Sequence, residues 1–433
     1  MGVTWLVRGV YAGAAWLVRA AADVAPAGEG KVLRAFRERR GIRARYERWG
    51  RSGRRAERAL LWMHAPSVGE GLQARPVLER LRAGHPELQL AYTYFSPSAV
   101  SFARGLDVDF RDYLPFDTSG DTGVALAALR PSALVFSKLD VWPTLVRQAE
   151  RRRVPVGMIS ATLTAGSGRR GWLAAAVLRD AYARLAAVGV IDDADAARLI
   201  ALGVREQVIT ITGDTRYDQV WARARGVDHG SPLLASLRSR RPTLVAGSTW
   251  PPDERVLLDA WRSFLSAHAD ARLIIAPHEP SAGHLASIDR WARATGVVVA
   301  RLGAPEVGAA GVVLVDRVGA LGDLYALADV AFVGGGFHAA GLHSVLEPAA
   351  FGVPVLVGPR YHSSRDAVRL LGAGGGAVAR DAGELLAQLE HWWSDTVSRR
   401  DAGVRARDVV RLGLGAADRS AALVEHLLAV RPG

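Results

Sequence analysis

The chain has 433 residues, 49% of them hydrophobic, which is enough for two domains of ordinary size with packed cores. It contains no cysteine, which excludes disulfides and thiolate metal sites, and no H-E-x-x-H or comparable cluster that points to a metal. The net charge of +12 is concentrated: residues 31–58 hold twelve Lys/Arg against three Glu, while the rest of the chain is nearly balanced. Such a run suits an anionic partner, whether nucleic acid, phospholipid headgroups or a phosphorylated glycolipid.

Residues 3–22 are apolar but interrupted by Arg8 and Arg19. The uninterrupted part, Gly9 to Val18, is about half of the roughly 20 residues that a helical crossing needs. A cleaved signal, with Ala20-Ala21-Ala22 after the apolar core, and a plain amphipathic core helix are alternatives. A retained interfacial helix over residues 1–25, with Trp5, Tyr11 and Trp16 at the headgroup level, fits better with the basic run that follows. Nucleic acid is not expected as a partner, because the basic run is interleaved with only Phe36, Tyr46 and Trp49.

From Ala59 onward, strand-like and helix-like pieces alternate. Leu60–Met63, Leu88–Tyr94, Ala133–Phe136, Val154–Ile159 and Val188–Ile191 read as strands, with helices predicted over 70–82, 97–104 and 142–152. The pattern loosens over 204–230, a candidate linker, and then resumes. Leu244–Gly247, Leu273–His278, Val297–Val299, Val312–Val315 and Val330–Val333 are the strands of the second half, separated by helices over 253–268 and 283–295. This alternation predicts an α/β protein of two doubly wound parallel halves, residues 26–222 and 223–433, with ligands outside the carboxyl ends of the strands. Residues 381–430 read as mostly helical and able to pack across both halves.

Two stretches carry candidate chemistry. At the end of the first strand, Ser67-Val68-Gly69-Glu70 offers two readings: a capping box, or a general base whose carboxylate takes a proton from an attacking hydroxyl. The second stretch, Gly334 to Pro359, reads strand, glycine turn, helix, strand, with Gly335 and Gly336 in a loop shaped to receive a phosphate. Ser344-x-x-Glu347 within it is again either a cap or, through Glu347, a partner for ribose hydroxyls. His343 and His278 are candidate donors to phosphate or carboxylate, and Arg216 a candidate cation; each also reads as an ordinary polar loop residue.

Together these stretches resemble the Kdo (3-deoxy-D-manno-octulosonic acid) transferases of lipopolysaccharide assembly, inverting glycosyltransferases of the two-Rossmann GT-B fold. The resemblance rests on the apolar N-terminus with its basic follow-on, His64–Glu70, Trp142-Pro143, Thr212–Asp218, Gly247-Ser248-Thr249 and Leu324 to Pro359, in order along nearly the whole chain. It implies transfer of Kdo from CMP-Kdo, without a cofactor or metal, to a lipid A precursor at the cytoplasmic face of the inner membrane. It also implies Glu70 as general base, a CMP site from Pro277, His278, Val318, Gly319, Ala320 and Ser344, Val345, Leu346, Glu347, and Arg216 at the place of a transition-state lysine. Lys138 and Asp140 stand where the family usually has two glutamates, the first a charge reversal. His278-Glu279 replaces Arg-His, Trp250 a histidine, and Ser344 and Ser363 asparagines. These departures imply an alternative: a divergent GT-B transferase with another nucleotide-sugar donor or acceptor, or an inactive protein that binds anionic surfaces.

Overall fold

The strands are short apolar runs buried along their length, such as LLWMH and ALVFS, which is the pattern of sheets covered on both faces. The structure, a computed structural model, describes residues 2–24, 26, 30–164 and 171–429. The chain divides into two units: residues up to Gln219 together with those from Leu414 onward, and Val220–Gly413.

The first unit contains β1 (Leu60–His64), β2 (Gln89–Tyr94), β3 (Phe110–Tyr113), β4 (Ala133–Ser137), β5 (Val156–Ala161), β6 (Ala187–Val190) and β7 (Ile209–Ile211). They pair in parallel in the order β3-β2-β1-β4-β5-β6-β7. The order reverses between β1 and β4, where His64 pairs with Phe136, so the two loops that follow leave the sheet side by side.

The second unit repeats the plan with β8 (Thr243–Thr249), β9 (Arg272–Pro277), β10 (Val299–Arg301), β11 (Val312–Leu314), β12 (Val330–Val333), β13 (Val355–Val357) and β14 (Gly376–Val378). Its order is β10-β11-β9-β8-β12-β13-β14, all parallel, and the reversal falls between β8 and β12. Each unit buries its own apolar core.

Three features differ from the sequence expectation. The candidate linker over 204–230 is ordered as β7 and the helix Thr215–Gly226; β7 is an edge strand of three residues, too short to show a period. The 223–433 bound shifts: the C-terminal stretch, read as able to pack across both halves, ends in the helix Ala416–Ala429, which belongs to the first unit. Asp218 accepts from the amides of Gly415 and Ala417 at its start, both at 2.9 Å, and Arg419 Nε donates to the Thr212 carbonyl. The helix comes close over glycine in β5: a Cβ on Gly157 would lie 2.8 Å from Leu427 Cδ2, so that side chain would have to move.

The third difference concerns the N-terminus. Gly2–Val24 is a helix of 23 residues, and no helix among the described residues is long and apolar enough to cross a membrane. One side of it is tied to the first unit by polar contacts. Arg8 bonds Asp180 at 2.7 Å, Tyr11 donates to Asp117 at 2.7 Å, and Arg19 reaches Asp121. Tyr11 is therefore spent on the protein, not set at a headgroup; Trp16 is exposed, and the Trp5 side chain lies outside the described residues.

Candidate active-site elements in the two units

In the first unit, Ser67 precedes the helix Val68–Gly84 but makes no side-chain capping bond, so the reciprocal capping box does not form. The Ser67 hydroxyl instead donates to Glu70 Oε2, and Lys138 Nζ donates to Oε1 at 3.3 Å. Burial alone would push the Glu70 carboxyl up. The Ser67 hydrogen bond and the Lys138 charge outweigh it and hold the group below its ordinary 4.5. Lys138 follows β4 in the left-handed region, φ 67°, an unusual backbone for a side chain with Cβ, and its backbone N–H donates to the Ile159 carbonyl at 2.8 Å.

Asp140, two residues on, accepts from Trp142 Nε1 at 3.0 Å and lies 3.2 Å from Nε2 of the buried His64. Glu70, Lys138 and Asp140 line one polar pocket of about 300 Å³, together with Pro66, Thr162 and Thr164. Of the first-unit residues singled out from sequence, Glu70, Lys138 and Asp140 thus meet where the strand order reverses. Arg216 does not line this pocket. Its Nε and Nη2 lie 2.9 and 2.6 Å from Asp214 Oδ2, and the neighbouring Thr215 hydroxyl donates to the Gln73 carbonyl of the Glu70 helix.

In the second unit, the glycine loop folds back on itself. Gly335 has φ 92°, and a Cβ there would lie 2.1 Å from the Gly341 carbonyl; one on Gly336 would lie 2.4 Å from the Gly358 amide. The glycines are required by backbone packing. The Gly335 amide is also occupied, donating to Asp253 Oδ2 at 2.7 Å. Asp253 accepts further from the amides of Trp250 at 2.9 Å and Phe337 at 2.9 Å. The predicted helix behind the loop is one turn, Leu346–Ala350, with Val345 and not Ser344 at its cap and no side-chain cap bond. Glu347 is therefore no capping partner of Ser344. Burial raises its carboxyl above the ordinary value, with Arg223 pulling the other way.

Four rings gather at the ends of β8, β9 and β12. Trp250 stacks on His338 with centroids 4.4 Å apart and planes 7° apart, and contacts His278 at 4.8 Å, while His278 lies 4.3 Å from His343. Trp250 Nε1 donates to His343 Nε2 at 3.0 Å, so the His343 proton sits on Nδ1. Burial, then His278 and His338, push His343 down to about 4, which keeps it neutral near pH 7. Pro277 is buried at the end of β9, leaving His278 exposed beyond it. The turn Val318-Gly319-Ala320 is held by Arg223, which donates to the Gly319 carbonyl at 3.3 Å and to Asp323 at 3.0 Å.

Sequence reasoning missed Asp253, His338 and Arg223. Asp253 and Arg223 are charged residues inside helices, where nothing in local pattern separates a loop-holding side chain from a solvated one.

Two doubly wound parallel sheets in one chain, each with polar groups gathered where its strand order reverses, define the GT-B class. Solved structures of that architecture include a UDP-GlcNAc 2-epimerase from Neisseria meningitidis bound to UDP-GlcNAc, with TM-score 0.62, 12% identity, and 85% of this chain and 100% of that chain covered. A second is a putative UDP-N-acetylglucosamine 2-epimerase from Listeria monocytogenes, with TM-score 0.61, 16% identity, and 87% and 98% covered. At such identities the likeness speaks to fold alone.

Sequence relatives are more specific. The family model described as 3-Deoxy-D-manno-octulosonic-acid transferase (kdotransferase) matches residues 36–219. The 3-deoxy-D-manno-octulosonic acid transferase of Bordetella pertussis is 32% identical over 353 residues, covering 77% of this chain and 80% of that protein. That of Haemophilus influenzae is 26% identical over 321 residues, covering 72% and 73%. The chain belongs to the 3-deoxy-D-manno-octulosonic acid transferase family.

Proposed function

We propose that this protein transfers Kdo from CMP-Kdo to the lipid A precursor lipid IVA, with inversion, and that Glu70 is the general base. Family membership supports the donor sugar and the class of reaction. The observation that carries the base assignment is a glutamate released from its capping role into a polar pocket at the reversal of the sheet. In a single displacement the acceptor hydroxyl attacks the anomeric carbon of Kdo, the bond to the CMP phosphate breaks, and the hydroxyl proton passes to Glu70.

The second unit supplies the donor half. Its candidate nucleotide contacts are His278, the 318–320 turn, and Ser344 to Glu347, with Glu347 toward the ribose. Arg216 supplies positive potential for the leaving phosphate. The five-residue helix is too short to be the anion site that the sequence pattern suggested. Acceptor and membrane are reached at the cytoplasmic face of the inner membrane, through the N-terminal helix and the basic run behind it.

Lys138, where relatives are expected to carry a glutamate, and the ring cluster built on Trp250 favour a second reading: a transferase of the same fold with another nucleotide-sugar donor. One assay separates the two. Purified protein is incubated with a tetraacyl lipid A precursor and either CMP-Kdo or UDP-sugars, and products are weighed by mass spectrometry. A gain of one Kdo is expected from CMP-Kdo; turnover of another donor alone would select the second reading. Glu70→Gln is expected to lower kcat by about 10²–10⁴ without loss of stability, and full activity in that variant would remove the base assignment.

A further inference from the structure

A second pocket in the first unit has no part in the chemistry above. It encloses about 280 Å³, and its carbon lining comes from Ala15 and Val18 of the N-terminal helix and from Phe36, Phe95, Phe116 and Trp142. The polar residues in its wall are turned to other work. Tyr11 donates to Asp117, whose carboxylate also accepts from the Thr144 and Leu145 amides at 2.8 Å each. Arg39 donates to the carbonyls of Leu114, Ala35 and Phe95, while its flat guanidinium lies 4.2 Å from the Phe95 ring and 4.9 Å from the Tyr113 ring. What faces the cavity is hydrocarbon, which no sugar, nucleotide or phosphate would satisfy.

Its position makes it part of a larger site. Trp142 stacks on Phe95, centroids 5.5 Å apart and planes 22° apart, and the same indole donates to Asp140, which lines the Glu70 pocket. The Trp142 ring therefore lies between the polar pocket and the apolar one. The N-terminal helix that lines the cavity also carries an exposed apolar stripe. Val10, Leu17 and Val24 recur every seven residues along it, and Val18 both lines the cavity and is 45% exposed. The helices Lys31–Glu38 and Ile42–Ser52 that follow carry arginines suited to an anionic headgroup.

We infer that this cavity seats the end of one acyl chain of the lipid acceptor while the acceptor hydroxyl lies at Glu70. The proposal rests on the acceptor being a lipid, as in the reading above. The volume is many times the ~10–15 Å³ of such space that a single water needs, room for a stretch of acyl chain. A chain leaving the membrane along the apolar stripe would enter without crossing polar surface. The cavity thereby acts as a ruler: it fixes the acceptor's hydroxyl relative to the base and favours acylated over bare sugar.

The test has two arms. In the first, a medium-chain fatty acid carrying a diazirine at its tip is photolysed with the full-length protein, and labelled peptides are mapped. Label on Phe95, Phe116 or Trp142 that disappears in Ala15→Phe supports the cavity. Label confined to Val10, Leu17 and Val24, or unchanged in Ala15→Phe, overturns it. Ala14→Leu, a milder filling from an exposed position, serves if Ala15→Phe does not fold. In the second arm, Ala15→Phe is expected to lower kcat/KM about tenfold or more for the tetraacyl acceptor and to leave the deacylated acceptor unchanged. Equal loss on both acceptors overturns the proposal. Cavity labelling without any Kdo transfer would instead sink the reaction reading and leave the chain site standing.

Discussion

Glu70 shows how much one neighbour changes a residue's meaning. Its spacing from Ser67 is that of a cap, and only the side-chain geometry reveals the Ser67 hydroxyl donating to the carboxylate and Lys138 facing it at 3.3 Å. Against burial, the Ser67 hydrogen bond and then the Lys138 charge hold Glu70 ionised below its ordinary pH range, so the base form persists further into acid but is weaker as a base. Removing the charge takes away one of the two. In Lys138→Met the Glu70 carboxyl rises, Glu70 is protonated at a higher pH, and the acid limb of kcat/KM moves upward. A pH profile identical to the parent would mean that the pair does not act on the reacting base. Lys138 and Asp140 were reached only through the family resemblance, whereas Glu70 was legible because it follows a strand, and strand ends are where α/β sheets hold ligands. His338 and Arg223 were not, because what selects them is contact with residues 88 and 96–100 positions away.

At the scale of elements, the glycine loop after β12 is held from outside. Asp253 accepts three amide N–H groups, from Trp250, Gly335 and Phe337, and so locks the loop to the start of the helix Pro251–Leu265. Asp253→Asn keeps the shape but presents an NH₂ group to an amide donor. It is expected to cost about 1.5–3 kcal/mol, read from the denaturant midpoint, and to weaken nucleotide binding as the loop loosens. An unchanged midpoint would mean that the loop is held by backbone packing alone. Strands were the most legible elements, since LLWM and ALVF are apolar throughout. β3 and β14 were not, because FRDY mixes charge into an outer strand and GAV is too short to carry a period. The two S-x-x-E signatures fail as capping boxes for different reasons: Ser67 does precede its helix but turns its hydroxyl to Glu70, whereas the helix after Ser344 starts one residue later, with Val345 at its cap.

At the scale of the whole molecule, the proposed attachment to a membrane surface would combine two weak signals. The N-terminal helix presents Val10, Trp16, Leu17 and Val24 outward, and the segment behind it carries an excess of arginine. Neither would anchor the protein firmly alone, since an apolar stripe and a polybasic run each bind reversibly. Flotation with anionic vesicles is expected to fall as salt rises toward the range where the Debye length is about 8 Å, and to fall sharply in Leu17→Glu. Flotation indifferent to both would place membrane contact elsewhere.

The return of the chain to its first unit has a consequence in time. The second unit, Val220–Gly413, is inserted between β7 and the helix that covers β5. On the ribosome its 194 residues must be made before that covering helix exists, which takes roughly ten to forty seconds at about 5–20 residues per second. Throughout that interval Gly157 lacks Leu427 and the first core lacks Val424, so the part synthesised first is the part completed last.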